Sequence, residues 1–132
     1  MDASERLVAV AREARERAVA PYSGFSVGAA IETANGRIVT GCNIENASYG
    51  LTLCAERVAI FKALSDGHRA FVRIAVVADT DAPTTPCGAC RQVLWEFGPD
   101  MEVVIGNLTV ITARHRLADL LPHPFSGRLL NR

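Results

Sequence analysis

Leu53-Cys54-Ala55-Glu56-Arg57-Val58-Ala59-Ile60-Phe61-Lys62-Ala63-Leu64-Ser65 reads as a helix buried on most sides and ended near Gly67. Val72-Arg73-Ile74-Ala75-Val76-Val77-Ala78 follows as a short apolar run of the kind that forms a buried strand. Gly88 to Phe97 is then expected to be a helix, closed by Gly98-Pro99. Upstream, Ser4 to Ala20 is rich in Ala, Arg and Glu. Leu7, Val8, Ala11, Ala14, Ala18 and Val19 recur there at roughly helical spacing until Pro21. Ser26 to Thr33 and Arg37 to Cys42 read as strands around an Asn35-Gly36 turn. Glu102 to Ile105 and Leu108 to Thr112 flank Gly106-Asn107 as a second hairpin, and a short helix is expected over Leu117 to Leu121. Helices alternating with strands imply a layered α/β domain with helices packed on a sheet.

Composition narrows the function. The 132 residues suit one domain, residues 1–132, with 49% hydrophobic and 21% charged side chains. Formal net charge is zero. A grip on polyanions needs a basic surplus, so nucleic acid is disfavoured as a partner while an uncharged small molecule is not. No apolar run approaches a bilayer span, and Met1 to Arg17 is charged without a signal-peptide core. No membrane partner is expected, and the expected location is the cytoplasm. There, Cys42, Cys54, Cys87 and Cys90 are better read as ligands, nucleophiles or core residues than as disulfide partners.

Two segments concentrate chemistry, Cys54-Ala55-Glu56-Arg57 and Pro86-Cys87-Gly88-Ala89-Cys90. Cys87 and Cys90 are three residues apart at an expected helix start, so both thiols share one face where the helix dipole favours thiolates. That spacing suits zinc, a redox pair or simple core packing. Cys54 would supply a third thiolate, and three protein ligands plus water is the pattern of a catalytic zinc. Cys42 lies in an expected strand as a small core residue. His68 sits in a turn, His115 in a solvated stretch between arginines, and His123 between prolines; none is expected to ligate. Glu56, two residues past Cys54 in an apolar neighbourhood, is best placed to move protons beside a metal-bound water. Arg57 could withdraw charge from the thiolates and restore the acidity of that water.

Gly41-Cys42-Asn43-Ile44-Glu45-Asn46-Ala47-Ser48-Tyr49, Cys54-Ala55-Glu56-Arg57 and Pro86-Cys87-Gly88-Ala89-Cys90-Arg91-Gln92 together resemble the short, homotetrameric, zinc-dependent cytidine deaminases. Tyr22-Ser23-Gly24-Phe25-Ser26-Val27-Gly28-Ala29-Ala30 and Leu120-Leu121-Pro122 with Phe125 fit as well, so the likeness runs from Pro21 to Phe125. The resemblance implies a three-layer domain, a central mixed sheet of about five strands with helices on both faces. It implies one zinc ion per subunit, held by Cys54, Cys87 and Cys90, with Glu56 as the proton shuttle. Cytidine or deoxycytidine would lose ammonia in pyrimidine salvage. Asn43 and Glu45 would bind the ribose, Phe25 would pack beside the base, and the Ala55 backbone and residues near Thr85 and Pro86 would read its edge. Tyr49 and Phe125 would complete a neighbouring subunit's pocket. The tail Ser126-Gly127-Arg128-Leu129-Leu130 departs from the family pattern by lacking an acidic motif, and His123-Pro124 is unusual.

Other readings compete. A blasticidin-type deaminase shares the zinc and glutamate motifs, although Asn43-Ile44-Glu45-Asn46 favours a ribonucleoside. A polynucleotide-editing deaminase is disfavoured by the absence of a basic surplus. Outside the deaminases stand a zinc-stabilised binding module without catalysis and a thiol oxidoreductase using Cys87 and Cys90.

Overall fold

Alternation along the central strands sorts their side chains into two cores. The structure, a computed structural model, describes residues 1–130. In the strand β3 (Phe71–Ala78), Ile74, Val76 and Ala78 face one core while Ala75 and Val77 face the other. β1 (Val27–Thr33) and β4 (Glu102–Gly106) divide the same way, Ala29 and Ile31 opposite Ala30, and Val103 and Ile105 opposite Val104. A strand buried on both faces reads as a continuous apolar run, which is why β3 is so plain in the sequence.

The helix α1 (Ala3–Arg15) covers one face with Leu7, Val8 and Ala11. Helices α2 (Ala55–Ser65) and α3 (Gly88–Phe97) cover the other, through Ala55, Ala59, Ile60 and Ala63 and through Leu94. Truncating a fully buried side chain such as Leu94 to alanine costs about 2–5 kcal/mol, so this shared layer fixes the two helices against the sheet. Strand order is β2-β1-β3-β4-β5, with β2 (Ile38–Cys42) and β5 (Ile111–Arg116) at the edges. β3 and β4 are parallel and the remaining neighbours antiparallel. The expected three layers and five-stranded mixed sheet are therefore present. No helix among the described residues is long and apolar enough to cross a membrane.

Three local expectations need correction. α1 stops at Arg15 rather than Ala20. The chain beyond it is taken up by another partner: Val19 N–H donates to Asn43 O at 3.0 Å and Val19 O accepts from Glu45 N–H at 2.8 Å. The first hairpin has a three-residue loop, closed by Thr33 N–H donating to Arg37 O at 2.8 Å. Of Asn35 and Gly36, only Gly36 has positive φ, +85°, as the last residue of such a loop requires. The second turn falls later than Gly106-Asn107. Gly106 still pairs with Ile111, and the Asn107 carboxamide accepts from the N–H groups of Thr109 and Val110, both at 2.9 Å. β5 consequently extends to Arg116, so His115 belongs to an edge strand paired with Val103 and not to a solvated loop.

Candidate active site

α2 and α3 begin side by side, and each is entered through a cysteine. Cys54 is the N-cap of α2 and Cys87 the N-cap of α3, with Cys90 in the first turn of α3. Unpaired backbone N–H groups and the positive dipole ends of both helices thus meet where the thiols stand, a setting that favours thiolates. The Cys54 and Cys87 sulfurs are 3.8 Å apart and those of Cys87 and Cys90 3.4 Å apart. All three lie within 4.8 Å of one another, and among the described residues no histidine and no Cys42 joins them.

The donor set can be tested against an ion. Tetrahedral zinc with Zn–S bonds of about 2.3 Å separates its sulfurs by roughly 3.8 Å. The spacings here are of that size, so the three thiols fit zinc and leave a tetrahedral ion one corner without a protein ligand.

Charge is graded across the cluster. The neighbouring Cys90 thiol, reinforced by the Arg57 guanidinium 3.6 Å away, holds the Cys54 thiol well below its ordinary range. The proximity of Cys54 and its own burial push Cys90 up. Among the described residues Arg57 Nε, buried, has no hydrogen-bond partner, and the guanidinium makes one hydrogen bond, to the Cys54 sulfur.

Glu56 follows Cys54 by two residues and is only 5% exposed. Burial pushes its carboxyl up to about 7, with the Cys54 charge adding to the rise and Arg57 opposing it. An acid that titrates near neutrality can both take and return a proton.

Glu56, Cys54 and Cys87 line a cavity of about 330 Å³, within the range of small-molecule sites. Phe25, Asn43, Glu45 and Ala55 line it too, so seven of the expected site residues meet in one place. A two-bond bridge between Ile44 and Leu53, at 2.9 and 3.0 Å, brings the 43–45 segment beside the entrance to α2. The Asn43 carboxamide accepts from Val27 N–H at 2.8 Å and donates to Phe25 O at 2.7 Å. Glu45 accepts from Tyr22 N–H at 3.0 Å, from Ser23 N–H at 3.1 Å and from the Ser23 hydroxyl. The Ser23 hydroxyl, ahead of these N–H donors, holds its carboxyl below the usual carboxylate range.

Cys90 sits beneath the cavity, buried. Tyr49 and Phe125 lie outside it, 67% and 51% exposed. Tyr49 packs edge-on against Tyr22 with ring centroids 6.2 Å apart. Phe125 is held through its backbone, its N–H donating to Gln92 Oε1 at 3.1 Å and its carbonyl accepting from Gln92 Nε2 at 2.8 Å.

Thr84 and Thr85, from the stretch expected near the base edge, line the cavity as well, whereas Ser23, Thr52 and Leu53 join it without having been expected. Ser23 could have been suspected from Gly24, whose positive φ of +69° turns the chain between it and Phe25. The others carry no signal short of the fold.

Comparisons with known proteins agree with this geometry. The family described as the cytidine and deoxycytidylate deaminase zinc-binding region matches residues 1–107. The chain is 53% identical over 123 residues to a cytidine deaminase of Sporosarcina psychrophila, covering 92% of this chain and 90% of that one. It is 52% identical over 128 residues to a cytidine deaminase of Halalkalibacterium halodurans, covering 96% and 97%. A crystal structure of cytidine deaminase from Burkholderia pseudomallei superposes with a TM-score of 0.90 at 51% identity, covering 95% of this chain and 100% of that one. With three zinc-spaced thiols and a buried glutamate at one cavity, and relatives matched over nearly their whole length, the chain belongs to the cytidine and deoxycytidylate deaminase zinc-binding family.

Proposed function

We propose that this protein is a zinc-dependent hydrolase converting cytidine, and deoxycytidine, to the uridine form with release of ammonia. The observation that carries the reading is a buried carboxyl, Glu56, lining a nucleoside-sized cavity beside three thiols spaced for zinc. Cys54, Cys87 and Cys90 would hold the ion, which when bound supplies the Lewis acidity that makes water a nucleophile at neutral pH.

The chain's own groups move the protons. Glu56 takes a proton from the attacking water and delivers it to ring N3 as the C4–O bond forms. It then takes the remaining proton from the new C4 hydroxyl and passes it to the amine as C4=O forms and the C4–N bond breaks, so that water and cytidine leave as uridine and ammonia.

Binding follows from counting donors and acceptors. Asn43 spends its carbonyl and one N–H on the backbone, which leaves one N–H for a sugar hydroxyl. Three donors on Glu45 leave acceptor capacity for another. A sugar with no hydroxyl in reach would strand both groups, whereas deoxycytidine keeps its 3′-hydroxyl. Ala55 opens α2, so its N–H is among those without a partner inside the helix and can donate to the base carbonyl. Phe25 supplies an apolar wall. Among the described residues no Lys or Arg lines the cavity, which favours an uncharged nucleoside over a phosphorylated one or a polynucleotide.

The working form is a homotetramer in the cytoplasm, serving pyrimidine salvage. Tyr22, Tyr49, Leu51 and Phe125 are large, apolar and exposed, as residues that pack on a second copy would be when that copy is absent.

Purified protein mixed with cytidine should release ammonia only when zinc is bound, and readdition of zinc after chelation should restore the rate. No release from either nucleoside by zinc-loaded tetramer would sink the assignment. Arg57→Gln should lower kcat/KM or zinc affinity by about 10–100-fold, because the thiolate charge is no longer drawn away from the ion. Zinc titration and steady-state kinetics check this; an unchanged variant would make Arg57 an ordinary surface residue.

A further inference from the structure

We infer that Arg91 is the positioning residue for the cavity wall formed by the loop between β3 and α3. The inference rests on the proposed deaminase reading for its kinetic consequence, and on hydrogen bonds alone for its structural one.

Residues 79–87 join β3 to α3 without regular structure, yet Thr84 and Thr85 form part of the cavity lining. Such a segment needs side chains to hold it. Its amino-terminal half is tied locally, the Thr80 hydroxyl reaching Ala82 O at 2.7 Å and the Thr84 hydroxyl at 2.8 Å. Its carboxy-terminal half depends on Arg91. Arg91 Nε donates to Pro86 O at 2.7 Å, and Nη2 donates to the Thr85 hydroxyl at 3.1 Å. The third bond, Nη1 to Leu120 O at 2.8 Å, anchors the same guanidinium to the turn that follows β5.

One planar group thus fixes two successive loop residues against a part of the fold outside the site. Arg91 sits one turn beyond Cys87, and its backbone N–H bonds Cys87 O at 2.9 Å. The wall is therefore indexed to the helix that carries two of the thiols. Lysine keeps the charge but offers one ammonium in place of a rigid fork, and cannot span three separated acceptors.

A displaced wall would misorient the base over Glu56, whereas the sugar contacts at Asn43 and Glu45 lie on the opposite segment. Arg91→Lys is accordingly expected to lower kcat for cytidine about 10–100-fold with a smaller change in KM and full zinc content. Thr85→Val, which removes one acceptor, should act in the same direction. The double variant should be no more than twofold worse than Arg91→Lys alone, because both changes break one contact.

Hydrogen exchange of residues 79–87 in the zinc-loaded protein supplies the readout that needs no activity, and it should quicken in either single variant. Retained kcat in Arg91→Lys, zinc lost in proportion to activity, or additive effects in the double variant would each overturn the inference. If Arg91→Lys does not fold, Thr85→Val decides. Faster exchange in 79–87, with Thr85→Ser behaving as the parent, supports it; unchanged exchange overturns it. A parent protein without turnover would count against the deaminase reading and leave the exchange experiment standing.

Discussion

Glu56→Gln should bind zinc, fold, and release ammonia from cytidine at least 10⁴-fold more slowly than the parent. General acid–base catalysis is worth about 10²–10⁴ for a single transfer, and Glu56 is asked for successive transfers within one turnover. The amide retains shape and can donate, but it cannot accept a proton from water. Folding should not suffer. Burial holds the Glu56 carboxyl up near 7, so its ionised form opposes folding, increasingly as pH rises from the unfolded carboxylate range through about 7. An amide never ionises, so the zinc-free variant should melt no lower than zinc-free parent at pH 8. Metal analysis, calorimetry and initial rates together check the prediction. Most of the activity surviving would remove Glu56 from the mechanism.

Gly41→Ala should cripple the protein by another route. A Cβ built on Gly41 would stand 2.4 Å from Ala55 O and 2.5 Å from Ala59 N, both backbone atoms of α2. Neither can yield as a flexible side chain would, so the whole helix must move away from β2. Overpacking of this kind costs about 3 kcal/mol, which for a chain of this size lowers Tm by roughly 10 °C. The helix that shifts is the one that presents Cys54, Ala55 and Glu56, so zinc affinity and kcat should fall with stability. Gly127→Ala, where a Cβ meets nothing within 4 Å, serves as the control. A Gly41→Ala protein with parental Tm would show that α2 can slide on the sheet.

How well the sequence announces each feature depends on how local its cause is. α2, β3 and α3 are legible almost to the residue because their apolar patterns are continuous and because Gly67 and Gly98 interrupt them. The thiols and Glu56 are legible because two short spacings place them at helix starts. The end of α1 is not, since nothing between Arg15 and Pro21 is a poor helix former; the pairing of Val19 with residues 43 and 45 decides it. The turn residues Asn35-Gly36 and Gly106-Asn107 mark both hairpins, but loop length depends on register across the whole pair. Ser23 and Thr84 reach the cavity from loops whose courses are set by distant contacts. Tyr49 and Phe125 face outward from a single chain, so nothing in the cavity itself marks them.

The two cysteine N-caps also bear on how the polypeptide folds. Cys54 and Cys87 are 33 residues apart, and the segment between them contains the whole of α2 and β3. An ion gripping both thiols acts as a cross-link around that loop. For a covalent closure of this length, the entropy taken from the unfolded chain amounts to about 4 kcal/mol at 25 °C. A coordinate link that survives unfolding would claim a similar share. Zinc would then be a fastener as well as a reagent: the same three sulfurs that serve the chemistry would shorten the search by which the central strand finds its place between β1 and β4.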